Sequence, residues 1–182
     1  LRSEILKKGI TNEQVINAIK LMKKYRIKLQ IFNMLGVPGE TLDTALETYE
    51  FNYKYKPDHA ECSLLQPYPQ TEIMEIAKAQ KLIREDYSFE DADNSAFDDS
   101  ILAIDNKNEI VNLQKLFQFG VKFRIPRRVM ERLIKFRPNK LFEFLFKINY
   151  ALGIRKIDNV SWTHLFLVGI HSRNFIKGRK HG

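Results

Sequence analysis

Apolar and polar positions alternate between two periods along the first half of the chain. Residues 11–25 place Val15, Ile16, Ile19, Leu21 and Met22 at helical spacing. Thr11, followed three residues later by Gln14, has the form of a capping box that starts such a helix. From Ile27 to Leu35 the period drops to two (Ile27, Leu29, Ile31) and then becomes a nearly continuous apolar run. That pattern predicts a strand covered on both faces, as in a parallel sheet under helices. Gly36-Val37-Pro38-Gly39 stops it, with proline and glycine placed for a type II turn. A helix is expected over residues 41–53, ended by Lys56-Pro57-Asp58, and a second strand over residues 60–65. Strand, helix and strand in this order predict a right-handed βαβ unit with neighbouring parallel strands. Pro67-Tyr68-Pro69 closes the second strand, and a short helix with Ile73, Ile76 and Ala77 begins near Thr71.

The pattern then changes. Residues 84–100 carry seven acidic side chains without a clear period, which predicts a surface loop. They lack the glycine-centred ligand spacing of a calcium loop. From Asn106 onward the spacing is helical again. Ile110, Leu113, Leu116, Phe117 and Val121 form one stripe. Pro126 opens a second helix, Asn139 precedes a third, and residues 162–170 have the pattern of a last short one. The organisation expected is an α/β part over residues 1–83, an acidic loop over 84–105 and a basic helical extension over 106–182.

Charge sharpens this division. Residues 1–120 hold 15 Lys and Arg against 19 Asp and Glu, a net of −4. Residues 121–182 hold 15 against 3, a net of +12. In the extension, Arg124, Arg127, Arg128, Arg132, Lys135, Arg137, Lys140 and Lys147 interleave with Phe123, Phe136, Phe142, Phe144 and Phe146. Such a segment can be a helical cap with a solvated basic face, lie on an anionic membrane surface, or track a nucleic-acid backbone; nucleic acid ranks behind the other two.

No run of about 18 apolar residues is present, so no spanning helix is expected. The single cysteine, Cys62, sits in an apolar strand-like run and reads as a small buried thiol. His59, His164, His171 and His181 show no metal-ligand spacing, and no metal ligands are assigned. The expected compartment is the cytoplasm, with a peripheral place at the membrane.

In parallel α/β folds, ligands sit at the carboxyl ends of strands. Here both strand ends are rich in glycine or proline: Gly36-Val37-Pro38-Gly39 and Gln66-Pro67-Tyr68-Pro69. Taken singly, each reads as a tight turn. Together with Leu6-Lys7-Lys8-Gly9-Ile10-Thr11, Asn33-Met34-Leu35-Gly36-Val37-Pro38-Gly39-Glu40-Thr41 and Leu65-Gln66-Pro67-Tyr68-Pro69-Gln70-Thr71, the chain resembles the later part of the radical S-adenosylmethionine (SAM) core. The resemblance covers about residues 1–80 and departs at Gln70, where that family usually has glycine.

The resemblance implies the last two strands of a partial (βα) TIM-like barrel. It implies a [4Fe-4S] cluster held by three cysteines of a C-x3-C-x2-C run, upstream of Leu1, and SAM cleaved reductively to a 5′-deoxyadenosyl radical. The expectation is therefore a carboxy-terminal fragment that is inactive and cluster-free by itself. Carried over residue by residue, the adenine-facing positions are Gly36 and Val37 in the turn and Leu65, Gln66 and Pro67 at the last strand's end. Tyr68 falls at the substrate mouth, and no catalytic residue is assigned. The long helical tail is similar to the branch that carries a cobalamin-binding domain before the core. This implies cobalamin as a further cofactor, with methylation or rearrangement of a small-molecule or lipid-like substrate as the reaction. A reduced flavodoxin or ferredoxin type of protein would be the electron donor. The rival reading is a non-catalytic module that binds membrane or RNA through its basic tail.

Overall fold

The computed structural model describes residues 9–87, 97, 99–158 and 161. Residues 88–96 and 98 of the acidic loop, and the segment expected to form the last helix, lie outside the described residues. The elements are α1 (Asn12–Lys24), β1 (Gln30–Leu35), α2 (Leu42–Tyr55), β2 (His59–Leu64), α3 (Glu72–Ala79), α4 (Lys107–Lys122), α5 (Arg127–Leu133) and α6 (Lys140–Asp158).

Local chemistry sets the element ends. The Thr11 hydroxyl accepts from the Gln14 amide while Gln14 Oε1 accepts from the Thr11 amide at 2.8 Å, closing the expected capping box. Thr41 and Thr44 form the equivalent pair at the start of α2. At the end of α1, Arg26 takes a left-handed conformation (φ 57). Its amide donates to Lys23 O and the Ile27 amide donates to Met22 O, a Schellman closure. This closure corrects the expected start of β1. Ile27 belongs to the helix cap and is exposed, and the strand begins at Gln30. Leu21, expected on the apolar face of α1, is exposed as well, whereas Ile19 is buried.

β1 and β2 are parallel, with Gln30 opposite His59 and Leu35 opposite Leu64. One face of this two-stranded sheet presents Leu35, Ala60, Cys62 and Leu64 to the core. The same buried cluster takes Ala45, Leu46 and Tyr49 from α2, Ile110, Leu113, Leu116, Phe117 and Val121 from α4, and Met130, Ile134 and Phe142 further on. Tyr49 and Phe117 meet edge to face at 5.6 Å, and a fully buried ring of this kind stabilises by roughly 1.5–3 kcal/mol. The Tyr49 hydroxyl donates to Ile125 O, so the buried phenol keeps a partner. One continuous core thus joins the βαβ unit to helices α4, α5 and α6.

The other sheet face is not covered as expected. Phe32 is 71% and Met34 37% exposed among the described residues. The apolar run of β1 therefore has one face in the core and one face open.

Helix α4 also covers the outer edge of β2. Gln118 Oε1 accepts from the Ala60 amide at 2.6 Å, and Gln114 Nε2 donates to Cys62 O at 2.9 Å. The two glutamines are four residues apart on one helix face, so together they replace hydrogen bonds that a further strand would make.

Candidate functional site

The two strand ends form one rim. Leu35 and Leu64 are register partners, and the Leu65 amide donates to Leu35 O at 2.8 Å. Gly36 and the Leu65-Gln66-Pro67 segment consequently leave the sheet side by side. Beyond Gly36 the chain makes the predicted turn. The Glu40 amide donates to Val37 O at 2.8 Å, Pro38 holds the second position, and Gly39 the third with φ 79. Gly36 is also left-handed (φ 76), a conformation that glycine adopts without steric cost.

Glu40 was not among the residues singled out from sequence, yet it organises this turn. Its carboxylate reaches back four residues and accepts the Gly36 amide at 2.5 Å. Burial pushes its pKa up from 4.5 to about 7, against the lowering effect of the Gly36 and Val37 amides. The signal available beforehand was a carboxylate directly after a glycine turn and four residues from Gly36.

The rim is covered by the chain that follows the acidic segment. A β-carbon on Gly36 would lie 3.2 Å from Ile104 Cδ1 and 3.7 Å from Ser100 Oγ. Leu102 is buried with Leu65 and Ala77, beside Ile73 and Ile101. Gly36, Val37, Pro38, Leu65 and Pro67 are accordingly all buried. Gln66 ties the cover down, since its Nε2 donates to Asp99 O at 2.9 Å. Its Oε1 is buried with no hydrogen-bond partner among the described residues. Such an acceptor carries a desolvation cost of about 1–3 kcal/mol until a donor meets it.

Tyr68 is exposed, and its carbonyl accepts from the Thr71 hydroxyl at 2.6 Å at the start of α3. Gln70 takes φ 66, so it occupies the conformation for which glycine is usually chosen. The structure therefore brings Gly36, Val37, Leu65, Gln66 and Pro67 to one rim, with Tyr68 following outward.

Cys62 lies behind the rim in the core. Burial first, and the nearby Glu40 and Glu61 charges second, push its thiol well above the ordinary range. A protonated buried thiol is neither a nucleophile nor a ready metal ligand. Among the described residues, no group of three His, Cys, Asp or Glu side chains is placed to hold a metal ion. No helix among them is long and apolar enough to cross a membrane. The rim offers shape, backbone groups and an unpaired acceptor, which is the equipment of a binding surface.

No family model matches the chain, and no solved structure matches it. Over 80 residues, 44% of the chain, it is 35% identical to an uncharacterized methyltransferase of Pyrococcus horikoshii. The chain is similar to part of a protein named as a methyltransferase. Over 88 residues, 45% of its length, it is 33% identical to an uncharacterized protein of Methanocaldococcus jannaschii. The matches span 17% of each relative.

Proposed function

We propose that this chain is the late part of the core of a radical SAM enzyme, and that the complete protein catalyses methyl transfer. The observation that carries the reading is the rim. Two parallel strand ends lie in register, with a Gly-Val-Pro-Gly-Glu turn on one and Leu65-Gln66-Pro67 on the other. The relative named as a methyltransferase supports a SAM-using enzyme.

The adenosyl part of SAM fits the rim at Gln66. Gln66 Oε1 is an unpaired acceptor, and the amino group of adenine is a donor. Val37 and Leu65 are apolar but buried, and Ile104 of the cover stands beside Gly36. Binding against Val37 and Leu65 therefore requires the Ser100–Ile104 cover to shift. A cluster does not fit Cys62, which is buried and protonated, so its ligands would come from outside this chain. A cluster held elsewhere in the complete protein would supply the reducing electron for SAM cleavage, and cobalamin would serve as methyl carrier. The chain's own work is to position and to seal. Glu40 holds the turn, Gln66 accepts from the base, and residues 100–104 keep water from the rim.

The test is product analysis on the anaerobically purified complete gene product, with iron and sulfide reconstituted and a low-potential reductant added. The expected product is 5′-deoxyadenosine, formed only when cluster and reductant are both present. Methyl transfer yielding S-adenosylhomocysteine alone, without cluster or reductant, would replace this reading by a closed-shell methyltransferase. Omitting cobalamin separates the two radical routes: methylation that persists without it removes the cobalamin assignment.

A further inference from the structure

Helix α6 is fixed on one side and bare on another. Phe142 and Asn149 are buried, and Gly153 lies so close to β2 that a β-carbon there would come 2.0 Å from the His59 ring. With those positions turned inward, Leu141, Phe144 and Ile148 fall on an adjoining stripe at spacings of three and four residues. They are 61%, 58% and 41% exposed. A solvated helix face is normally polar, so this stripe is not accounted for by the fold.

Its surroundings are cationic. Lys140 and Lys147 each precede a stripe residue and are seven residues apart, which places them along the same line of the helix. Lys135 and Arg137 flank Phe136 just before the helix, and all three are exposed. From residue 121 to 155 there are ten Lys and Arg against two Asp and Glu. Of the ten, Arg127 is neutralised by Asp43, Glu50 and Glu131. Lys135, Arg137, Lys140 and Lys147 form no ion pair with a described residue.

We propose that α6, with the Lys135–Arg137 segment before it, is an interfacial helix that seats the protein on an anionic lipid surface. Leu141, Phe144 and Ile148 enter the boundary between headgroups and acyl chains, and Lys135, Arg137, Lys140 and Lys147 meet the phosphates. The charge selects an anionic partner. The aliphatic Leu141 and Ile148 select lipid over nucleic acid, because single strands are gripped by aromatic stacking and aliphatic side chains have no such use there. The proposal is independent of the chemistry assigned to the rim.

Flotation of the complete protein with phosphatidylcholine vesicles, and with the same vesicles containing phosphatidylglycerol, tests it. Binding is expected only with the anionic vesicles and should weaken as salt rises. Each cationic residue at such a surface contributes about fivefold to partitioning, so Lys140→Gln with Lys147→Gln lowers it about 25-fold. Leu141→Ser with Phe144→Ser abolishes binding while leaving the thermal transition in place, because both side chains are already exposed. Phe144→Trp should add a blue-shifted emission component on anionic vesicles and not on single-stranded RNA. Equal recovery on both vesicles, no recovery at all, or binding that survives both pairs of substitutions overturns the proposal. So does binding to RNA, or self-association in sedimentation, without vesicle binding.

Discussion

Replacing Glu40 by glutamine should remove a pH dependence built into the Gly36 turn. The carboxyl is half-buried, and its pKa rises from 4.5 to about 7 because burial outweighs the amides that favour its ionised form. A raised acid is bound more tightly to its proton in the folded state than in the unfolded one. Its contribution is fully present below pH 4.5 and is lost as pH climbs towards 7. At about 1.4 kcal/mol per pKa unit, the loss amounts to about 3 kcal/mol. Glutamine keeps an oxygen that can accept the Gly36 amide and cannot ionise. The measurement is urea unfolding of both proteins between pH 4 and pH 8. The difference between them isolates Glu40 from every other titrating group, and should move in favour of the variant by about 3 kcal/mol as pH rises. A carboxyl-carbon NMR titration of Glu40 should place its midpoint near 7. A stability difference that is flat with pH, or that moves in favour of the wild type, would refute the reasoning. A flat difference would mean that the amides cancel the effect of burial, and the reverse trend that they outweigh it.

Three further outcomes follow from packing. Gly153→Ala places a β-carbon 2.0 Å from the buried His59 ring and should cost about 1–3 kcal/mol in chemical denaturation. Gln118→Leu strips the Ala60 amide of its acceptor and should cost about 1–3 kcal/mol, whereas Gln118→Glu should recover part of it. Cys62 should resist an exchange-type thiol reagent in the native protein and react at the rate of a free thiol in denaturant, since it is buried and held protonated.

How far the chain could be read in advance depended on the range of the interactions involved. Thr11 with Gln14, the Val37–Glu40 turn and the breaks at Pro57 and Pro126 are contacts within four residues or conformations fixed by one ring, and the structure holds them as expected. The start of β1 was misplaced because Ile27 has strand-like neighbours in sequence but is claimed by the carbonyl of Met22. Phe32 and Met34 looked like core because an apolar run carries no mark of which face has a partner. The depth of α4 was invisible for the opposite reason: Asn112, Gln114 and Lys115 are polar and lie outside the apolar stripe of Ile110, Leu113, Leu116, Phe117 and Val121, yet all three are buried. Asn112 caps Ile134 O and Phe136 O, and Gln114 serves Cys62 O, 52 residues away. At the rim, Gly36, Val37, Leu65, Gln66 and Pro67 could be grouped from the order of elements alone. Their burial under Ser100–Ile104 could not, because that contact crosses the acidic stretch.

The glutamine pair on α4 gives the sheet a direction of growth. With the Ala60 amide and the Cys62 carbonyl already engaged by side chains, β2 is a terminus, and any strand that lengthens this sheet must enter beside β1. The same pair works as a stopper against unwanted partners. A second molecule searching for a strand to copy finds glutamine amides where a ladder would have to start. Cutting one glutamine back to alanine should therefore do more than lower stability. It should open a templating edge, and the first sign would be fibrillar or sheet-rich aggregation at concentrations the parent protein tolerates.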